Sequence, residues 1–559
     1  MNTETFFQQF ELLADAPNGI QKLRELILQL AVQGKLVPQN PDDEPAAVLL
    51  ERIKAEKERL VKEGKIKKSK KLPDIKPDEI PFDLPEDWEW IKTNLVAEVI
   101  DPQPSHRTPP KAENGVPYIG MGDIDKESII NFDKARKVAI EVLEEHKNRY
   151  TLKDGDFIFG KIGTLGKPVK LPKPYDYTLS ANIVLIQPTK IAPDYLFLYM
   201  SSPVMENILT SLSRVTTHAA FGIKRIRQLP TPLPPLAEQK RIVEKVDRLM
   251  ELCDKLETQQ QQQKAKTLQL GTVATSRLTA AKTPEAFKQH WQNISNNFDL
   301  IYSTPENIKQ LRQTILQLAV MGKLVPQNPD DESASVLLAK IKAEKGKLIK
   351  EGKIKKSKKL KAISPDEIPY ELPKVWELVK LGECIELISG QHLNQESQNK
   401  EGIGLPYLTG PSDFTETHPI ATRWTRVPKA IAVKNDILIT VKGAGVGKSN
   451  ILTLDEAAIG RQLMAIRPFF LEVNYLYILI LASFEKFQAL SIGSTVPGIG
   501  RENIFNFPLS LPPLGEQHRI VTKVNQLMTY CDELEAKLTQ SLSDKEKLMD
   551  TAVYQLLTA

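Results

Sequence analysis

The sequence predicts a mixed α/β protein with a pseudo-two-fold internal repeat, in which two α/β domains are joined by helices that pair as coiled coils. The first reason is repetition: residues 29 to 44 return almost unchanged at 317 to 332, and the block that begins at Pro234 returns from Pro512. The second reason is that the segments between the repeated blocks differ from each other. Because the repeat period is hundreds of residues, each unit is large enough to be a domain with its own connectors rather than one turn of a solenoid.

The repeated blocks have the residue spacing of coiled-coil helices. Their apolar residues alternate in steps of three and four, which places them along one side of a helix that needs a partner. Leu236 to Ala281 is predicted to form one helix of about 70 Å, and the glutamines from Gln259 to Gln263 are expected on its solvated side. The predicted seams are Ile20, Leu23, Ile27, Leu30 and Gly34; Ile308, Leu311, Ile315, Leu318 and Gly322; Ile242, Val246, Leu249, Cys253 and Leu256; and Ile520, Val524, Leu527, Cys531 and Leu534.

Composition restricts the class of protein. The 559 residues allow about three or four domains, and three cysteines are too few for a disulfide framework. The start of the chain lacks the features of a signal peptide, and the apolar run from Tyr475 is too short to span a bilayer, so we expect a cytoplasmic protein. The net charge is only +5, but lysines cluster ahead of each differing segment, where they attract phosphates or form a solvated linker. They are Lys65, Lys67, Lys68, Lys70 and Lys71, and Lys353, Lys355, Lys356, Lys358 and Lys359.

The two differing segments, here called the inserts, span about residues 86 to 233 and 374 to 511 and are predicted to be α/β domains. In each insert a short apolar strand leads into a glycine-rich turn, at 154 to 163 and at 435 to 445. A second apolar strand follows in each and is closed by a proline. The frameworks of the inserts therefore match, while most other positions differ.

The motifs that come closest to catalytic ones all lack a required residue. GAGVGKS, which begins at Gly443, resembles a nucleotide-binding loop, but Lys442 stands where its first glycine is required. The equivalent KIGTLGKP segment has Lys161 there and ends at Pro168, so both are better explained as hairpin loops. The Pro-Pro-Leu segments lack the acid or amide and the aromatic residue of an adenine methyltransferase, and the acidic runs near 41 and 329 are expected in linkers or at helix starts. The histidines show no metal-ligand spacing, so we predict neither a catalytic residue nor a metal site.

Taken together, these segments resemble the specificity subunit of type I restriction-modification enzymes. The resemblance covers nearly the whole chain and depends on the combination of LPxxW before each insert, the strand with its glycine hairpin, PPLAEQKRIV or PPLGEQHRIV after each insert, and the duplicated LxQLAVxGKLVPQ helix. It implies two target recognition domains that each read half of a split DNA site, separated by a long antiparallel coiled coil that docks two methyltransferase subunits. Catalysis is then expected in partner methyltransferase and restriction/translocase subunits, which would use S-adenosylmethionine, ATP and Mg²⁺.

This resemblance gives the domain division. Residues 1–85 would hold the N-terminal helices and a basic linker, 86–233 the first recognition domain, 234–325 the central helices, 326–373 a second basic linker, 374–511 the second recognition domain, and 512–559 the C-terminal helix. Two other functions stay open at this point. One is a coiled-coil adaptor that binds no DNA, and the other is an enzyme, either an NTPase that uses the 443 to 449 loop or a fused modification enzyme.

Base reading requires polar or cationic side chains on loops at equivalent positions of the two inserts. Lys161 and Lys442, at the two hairpins, are the first pair to consider, although contact with phosphate alone would also suit them. Arg241 and Arg519, on the repeated helices, are predicted to dock the methyltransferase partners. The predicted DNA-binding residues are Lys161, Thr164, Lys167, Asn182, Thr216, Thr217, His218 and Lys224 in the first insert, and Lys442, Lys448, Arg461, Gln462, Ser494, Thr495 and Arg501 in the second.

Overall fold

The computed structural model describes residues 6, 9–63, 75–105, 107–161, 165–213, 222–355, 360–364, 367–368, 370–491 and 498–558. Contacts within the chain divide it into two compact units. One unit contains Met1–Gln262 and Ser541–Ala559, and the other contains Gln263–Gln540. Each unit holds one insert together with helices that come from both halves of the sequence. Among the described helices, none is sufficiently long and apolar to span a membrane.

The first unit is organised around a helix that we call the first leading helix, Gly19–Val32. It packs against the start of the first trailing helix, Leu236–Ala280, which has nearly the length predicted for it. The seam residues from Ile20 to Leu30 and from Ile242 to Leu256 are all buried, so the coiled-coil spacing is confirmed for both helices. Of the glutamine run, only Gln260 leaves the solvated side, where its amide donates to the Ala14 carbonyl at 3.0 Å.

A third helix completes the helical packing of the first unit. It is the end of the second trailing helix, Leu514–Thr558, whose buried Met549, Ala552 and Leu556 join the same hydrophobic core. The Lys22 amine binds the Asp550 carboxylate at 2.6 Å, and the Lys35 amine donates to the Leu557 carbonyl at 3.0 Å. The repeat pattern predicted that each seam needs a partner, and the structure supplies this one from the far end of the sequence.

The second unit repeats this packing with exchanged roles. Its leading helix, Pro305–Val320, contacts the start of the second trailing helix and the end of the first. The Gln310 amide donates to the Thr272 hydroxyl at 3.1 Å, and the Lys323 amine donates to the Thr279 carbonyl at 3.1 Å. These are the repeat-equivalent positions of the contacts made by Lys22 and Lys35. Each trailing helix therefore begins in one unit and ends in the other.

The leading helices end before the predicted seams do. Gly34 and Gly322 were predicted as seam positions, but they lie beyond the helices, with φ of +72° and +69°. The Lys35 N–H bonds to the Leu30 carbonyl at 2.9 Å, the backbone closure that a left-handed glycine permits. A Cβ on Gly34 would lie 2.5 Å from Cγ of Pro85. The seam prediction for these two glycines was therefore wrong, and both are required by the turn that brings the LPxxW segment onto the helix.

The repeated motifs meet in one hydrogen-bond network per unit, which we call the anchor. In the first unit the Trp88 indole N–H donates to the buried Glu238 carboxylate at 2.9 Å, and the Gln39 amide donates to the same carboxylate at 2.7 Å. Trp376, Gln327 and Glu516 form the same network in the second unit, at 2.8 and 2.7 Å. The anchors explain why LPxxW, VPQ and the PPLxEQ segment are all present twice.

The two ends of the first insert meet where it joins the helices. Its first and last strands, Glu89–Lys92 and Pro230–Leu233, pair antiparallel and bring its two ends together. The side chain of Gln239, next to the anchor, accepts from the Ala192 N–H at 2.8 Å and donates to the Pro234 carbonyl at 2.9 Å. The central antiparallel sheet has the strand order Ala97–Ile100, Ile183–Pro188, Phe157–Gly160 and Pro168–Lys170, and a smaller sheet has the order Arg136–Val138, Val116–Ile119 and Thr178–Leu179. The helices are Ile140–Lys147, Pro193–Met200, Pro203–Ser213 and Ile223–Arg227.

The second insert has the same plan with one more strand in its smaller sheet. Glu377–Lys380 pairs with Pro508–Leu511 at the point of attachment. The central sheet has the order Ile385–Ser389, Leu463–Pro468, Ile437–Thr440 and Ser449–Ile451, and the smaller sheet has the order Trp424–Thr425, Leu405–Leu408, Glu456–Ile459 and Ile431–Val433. The helices are Leu381–Cys384, Val473–Ala482, Phe484–Leu490 and Arg501–Phe505. Both inserts are therefore mixed α/β domains, as predicted.

The remaining described helices connect these parts. Ala46–Lys62 and Ala334–Lys350 precede the two lysine clusters, and Phe10–Ala14, Pro284–Asn296 and Phe298–Ile301 lead into the two leading helices. Of the clustered lysines, Lys353 and Lys355 are exposed. The other eight, Lys65, Lys67, Lys68, Lys70, Lys71, Lys356, Lys358 and Lys359, lie outside the described residues.

Candidate nucleic-acid interface

The GAGVGKS segment of the second insert is a hairpin loop. It connects Ile437–Thr440 to Ser449–Ile451, and Gly443 and Gly447 both have φ of +87°, which a side chain would disfavour. The Thr440 N–H bonds to the Lys448 carbonyl at 2.8 Å, and the Gly447 N–H bonds to the Thr440 carbonyl at 2.9 Å. A phosphate-binding loop leads from a strand into a helix, whereas this loop returns into a strand. The interpretation as a hairpin is confirmed.

Three other segments meet this hairpin at the same end of the strands of the central sheet. We call this end the recognition edge. The Gln462 carbonyl accepts from the Val441 N–H at 2.8 Å, and the Ile499 N–H donates to the Val441 carbonyl at 2.9 Å. The turn Gly410–Asp413 completes the edge, because a Cβ on Gly445 would lie 3.0 Å from Cγ of Pro411. The structure thus brings together four of the predicted DNA-binding residues, Lys442, Lys448, Arg461 and Gln462. Ser494 and Thr495 lie outside the described residues.

The four gathered side chains are available to a ligand. All are exposed, and Lys442, Lys448 and Arg461 have no ion-pair partner in the described part of the chain. Unpaired cations around a polar side chain suit a phosphate backbone, which binds cations irrespective of base sequence. In the part of the chain that the structure describes, no group of histidine, cysteine and acidic side chains could hold a metal ion.

The first insert forms an equivalent edge. The Asn182 carbonyl accepts from the Lys161 N–H at 3.0 Å, and the turn Gly120–Asp123 lies beside Asn182, with a virtual Cβ on Gly120 only 2.8 Å from its Oδ1. The Lys167 amine reaches back to the Asp125 carbonyl at 2.8 Å. Thr164, Thr216, Thr217 and His218 lie outside the described residues.

Lys161 and Lys442 do not occupy equivalent positions. The strand registers pair Gly160 with Ile183 and Thr440 with Leu463, so the equivalent of Lys161 is Val441. A shift of one residue along a strand turns the side chain to the other face. Lys442 is exposed, whereas Lys161 is 4% exposed and its amine binds the Asp101 carboxylate at 3.0 Å inside the insert. The structure thus gives Lys161 an internal partner.

Arg501 and Lys224 lie on the short helices near the end of each insert. The Arg501 guanidinium donates to the Leu387 carbonyl at 2.8 Å and to the Ser389 hydroxyl at 2.7 Å. In the first insert Arg227 donates at 2.7 Å to the carbonyl of Val99, which is the repeat equivalent of Leu387. Both arginines therefore fasten the helix to the edge strand. Lys224 is exposed.

The two arginines predicted to dock partners are engaged within their own units. The Arg241 guanidinium binds the Asp43 carboxylate in two places, at 2.6 and 3.2 Å, and Arg519 binds Asp331 at 2.6 and 3.1 Å. Asp43 is almost fully buried, with 8% of its side chain exposed, while 34% of Arg241 is exposed. The acidic runs before the helices Ala46–Lys62 and Ala334–Lys350 are thus held by the trailing helices. A role of these arginines in docking stays a prediction.

Sequence reasoning missed the turns Gly120–Asp123 and Gly410–Asp413. In both, the aspartate carboxylate accepts from the N–H of the first glycine, at 2.8 Å in the first insert and 3.4 Å in the second. A signal was present, since each turn follows a strand that contains a tyrosine, in YIGMGD and YLTGPSD. The spacing between glycine and aspartate is the same in both inserts, but the intervening residues differ.

Comparison with known proteins agrees with this arrangement. The family described as "Type I restriction modification DNA specificity domain" matches residues 85–266 and 373–544, so each match covers one insert and the start of one trailing helix. The chain is 36% identical to the specificity subunit of the type I restriction enzyme EcoAI from Escherichia coli, over 96% of this chain and 94% of that one. It is 34% identical to the EcoEI specificity subunit from the same species, over 95% and 93%.

A solved structure shows the same fold. It is described as "Structural basis underlying complex assembly and conformational transition of the type I R-M system", and its chain is 23% identical with a TM-score of 0.50, over 85% of this chain and 99% of that one. The two family matches and the near full-length relatives agree with the duplicated plan of anchors, inserts and long helices. The chain belongs to the family of type I restriction enzyme specificity subunits, the non-catalytic subunits that recognise the DNA sequence.

Proposed function

We propose that each insert reads one half of a bipartite, asymmetric DNA target, and that the repeated helices hold the subunits that act on this DNA. One observation carries the proposal: the two inserts place polar and cationic loop side chains at equivalent edges of equivalent sheets, exposed in the second insert and half-buried at Asn182 and Lys167 in the first, but those side chains differ. Equivalent edges suit two half-sites, because the arrangement of half-sites follows the symmetry of the protein that binds them. Different side chains suit half-sites of different sequence.

The chemistry is assigned to partners. This chain would bind double-stranded DNA in the cytoplasm, together with two methyltransferase subunits and with restriction/translocase subunits. S-adenosylmethionine, ATP and Mg²⁺ would be bound by those partners. What supports this assignment is that the loop closest to a nucleotide site lies between two strands, without the helix whose N-terminus holds the phosphates.

Two measurements test the proposal. Sequencing of modified bases in a host that expresses the complex is expected to show two different short sequences at a fixed separation, each with modified adenine. The purified chain should also retain duplex oligonucleotides, with affinity that falls steeply as salt is raised, because phosphate contacts release counterions. A palindromic target, or retention that salt does not change, would contradict the proposal.

A further inference from the structure

Asn182 and Gln462 occupy the same position in the two inserts. Each directly precedes the central strand of its sheet, Ile183–Pro188 or Leu463–Pro468. Each uses its carbonyl to accept from the backbone of the residue that follows the hairpin strand, Lys161 in one insert and Val441 in the other. These are the two carboxamide side chains among the predicted DNA-binding residues, and the structure places them as equivalents.

A glycine lies directly beneath each carboxamide. A Cβ on Gly410 would lie 2.1 Å from Oε1 of Gln462, and a Cβ on Gly120 would lie 2.8 Å from Oδ1 of Asn182. The close approach is possible only because glycine has no side chain. The aspartate that closes each turn fixes the glycine backbone, so the turn leaves room for the carboxamide at this place.

The carboxamides keep unused hydrogen-bonding groups. Asn182 is half-buried and Gln462 is exposed. The Ser180 hydroxyl donates to Oδ1 of Asn182, while Nδ2 of Asn182 and the side chain of Gln462 have no hydrogen-bond partner in the described residues. The equivalent of Ser180 in the second insert is Gly460, so the shorter side chain has a hydroxyl to orient it and the longer one does not.

We propose that Asn182 and Gln462 are base-reading side chains, each of which recognises one adenine in its own half of the target. The inference rests on the proposed function and assigns a base to this position. A carboxamide offers one donor and one acceptor side by side, which matches N7 and the N6 amino group of adenine in the major groove. Guanine presents two acceptors there and suits arginine or lysine instead.

The surroundings of Gln462 supply cations that can bind phosphate beside the base-reading carboxamide. Arg461, Lys442 and Lys448 are exposed at the same edge, and cations of this kind hold the phosphates on which the register of base reading depends. Lys167 lies on the corresponding hairpin of the first insert. In the second insert the exposed cations thus position the duplex, and the carboxamide distinguishes the base.

The test uses the full chain with its partner subunits, after base-modification sequencing has given the target. Gln462→Ala should lower the preference for one A·T pair in one half-site by roughly 5- to 150-fold and leave the other half-site unchanged. Asn182→Ala should do the same in the opposite half. Lys448→Ala is the matched control and should weaken binding to every duplex alike, because a phosphate contact carries no sequence information.

Base analogues identify the atoms involved. Replacing the critical adenine by 7-deazaadenine removes the N7 acceptor, so it should weaken the parent and have little further effect on Gln462→Ala. Gly410→Ala should lose the same preference with an unchanged Tm, because its new methyl group displaces the end of the flexible Gln462 side chain. Full discrimination at every A·T pair in Gln462→Ala, or a loss confined to a G·C pair, would overturn the inference. A parent protein that prefers no sequence would instead overturn the proposed function.

Discussion

Exchanging one buried pair between the two units should show that each leading helix is matched to its third helix. Asn307 of the second leading helix fills the space over Gly271, where a Cβ would lie only 3.0 to 3.2 Å from its side-chain atoms. The equivalent positions of the first unit hold Gly19 and the fully buried Met549. A large residue is thus paired with a glycine in both units. The large residue lies on the third helix in the first unit and on the leading helix in the second.

The structure gives the size of the expected effects. Gly271→Met forces a long side chain against Asn307 and should cost about 1–3 kcal/mol of unfolding free energy or more. Asn307→Gly removes the hydrogen bond from its amide to the Thr267 carbonyl, at 3.1 Å, and leaves a void. The double variant recreates the glycine and methionine pair of the first unit, so its cost should be clearly smaller than the sum of the two single costs.

Chemical denaturation of the full chain, with circular dichroism as the readout, measures these costs. Gly346→Met is the control, because Gly346 also lies in a helix but has nothing within 4 Å of its virtual Cβ, so it should be neutral or slightly stabilising. Met549→Ala should cost about 2–5 kcal/mol, because it empties a closed core. Additive costs for Gly271→Met and Asn307→Gly would refute the matching.

Four further predictions follow from the same contacts. Arg241→Glu should lower the free energy of unfolding by roughly 1–3 kcal/mol, because it leaves the buried Asp43 without its partner. The double variant Arg241→Asp with Asp43→Arg should recover part of this loss in thermal melts, and co-purification of the same double variant tests partner docking. Burial raises the pKa of Glu238, so the folded state binds more protons than the unfolded state just above the ordinary carboxyl range. The stability contributed by this group therefore falls as pH rises through that window, and Glu238→Gln should flatten the Tm profile just above the ordinary carboxyl range. Exchange of residues 89 to 233 for a related insert should change one half of the methylated target only; changes in both halves would count against modular reading. A chain that ends near residue 303 should pair with a second copy and, with the partner subunits, direct methylation to an interrupted palindrome. The two copies should pair less stably than the helices of the parent, because Gly271 would stand where Met549 packs; a monomer in the presence of partners would contradict this.

The helices and the inserts could be predicted because their signals are local. The buried faces of Leu236–Ala280 and Gly19–Val32 follow from residue spacing alone, and the glycine hairpins follow from turn chemistry. The third helix of each unit could not be predicted, because the contact between Lys22 and Asp550 joins residues 528 positions apart, and periodicity states only that a helix needs some partner.

The candidate site was predicted less completely, for the same physical reason. Residue type identified Lys442 and Gln462, but type alone does not separate an exposed lysine from one that is paired inside the domain, as Lys161 is with Asp101. The face of a strand residue depends on register, and registers are set by the whole sheet. The turn Gly410–Asp413 was missed because its importance depends on its proximity to Gln462, which is about 50 positions away in the sequence.

The anchors explain how one scaffold can hold two different reading surfaces. Trp88, Gln39 and Glu238 link a leading turn, an insert border and a trailing helix, and all three of these segments lie outside the recognition edge. Substitution in the hairpin loops therefore leaves the attachment of the insert unchanged, since the two ends of the insert already meet in a strand pair. Mutational change in base preference is then separated from change in stability. This separation predicts that variants of Gln462 alter sequence preference at unchanged Tm, whereas variants of Glu238 alter Tm at unchanged sequence preference.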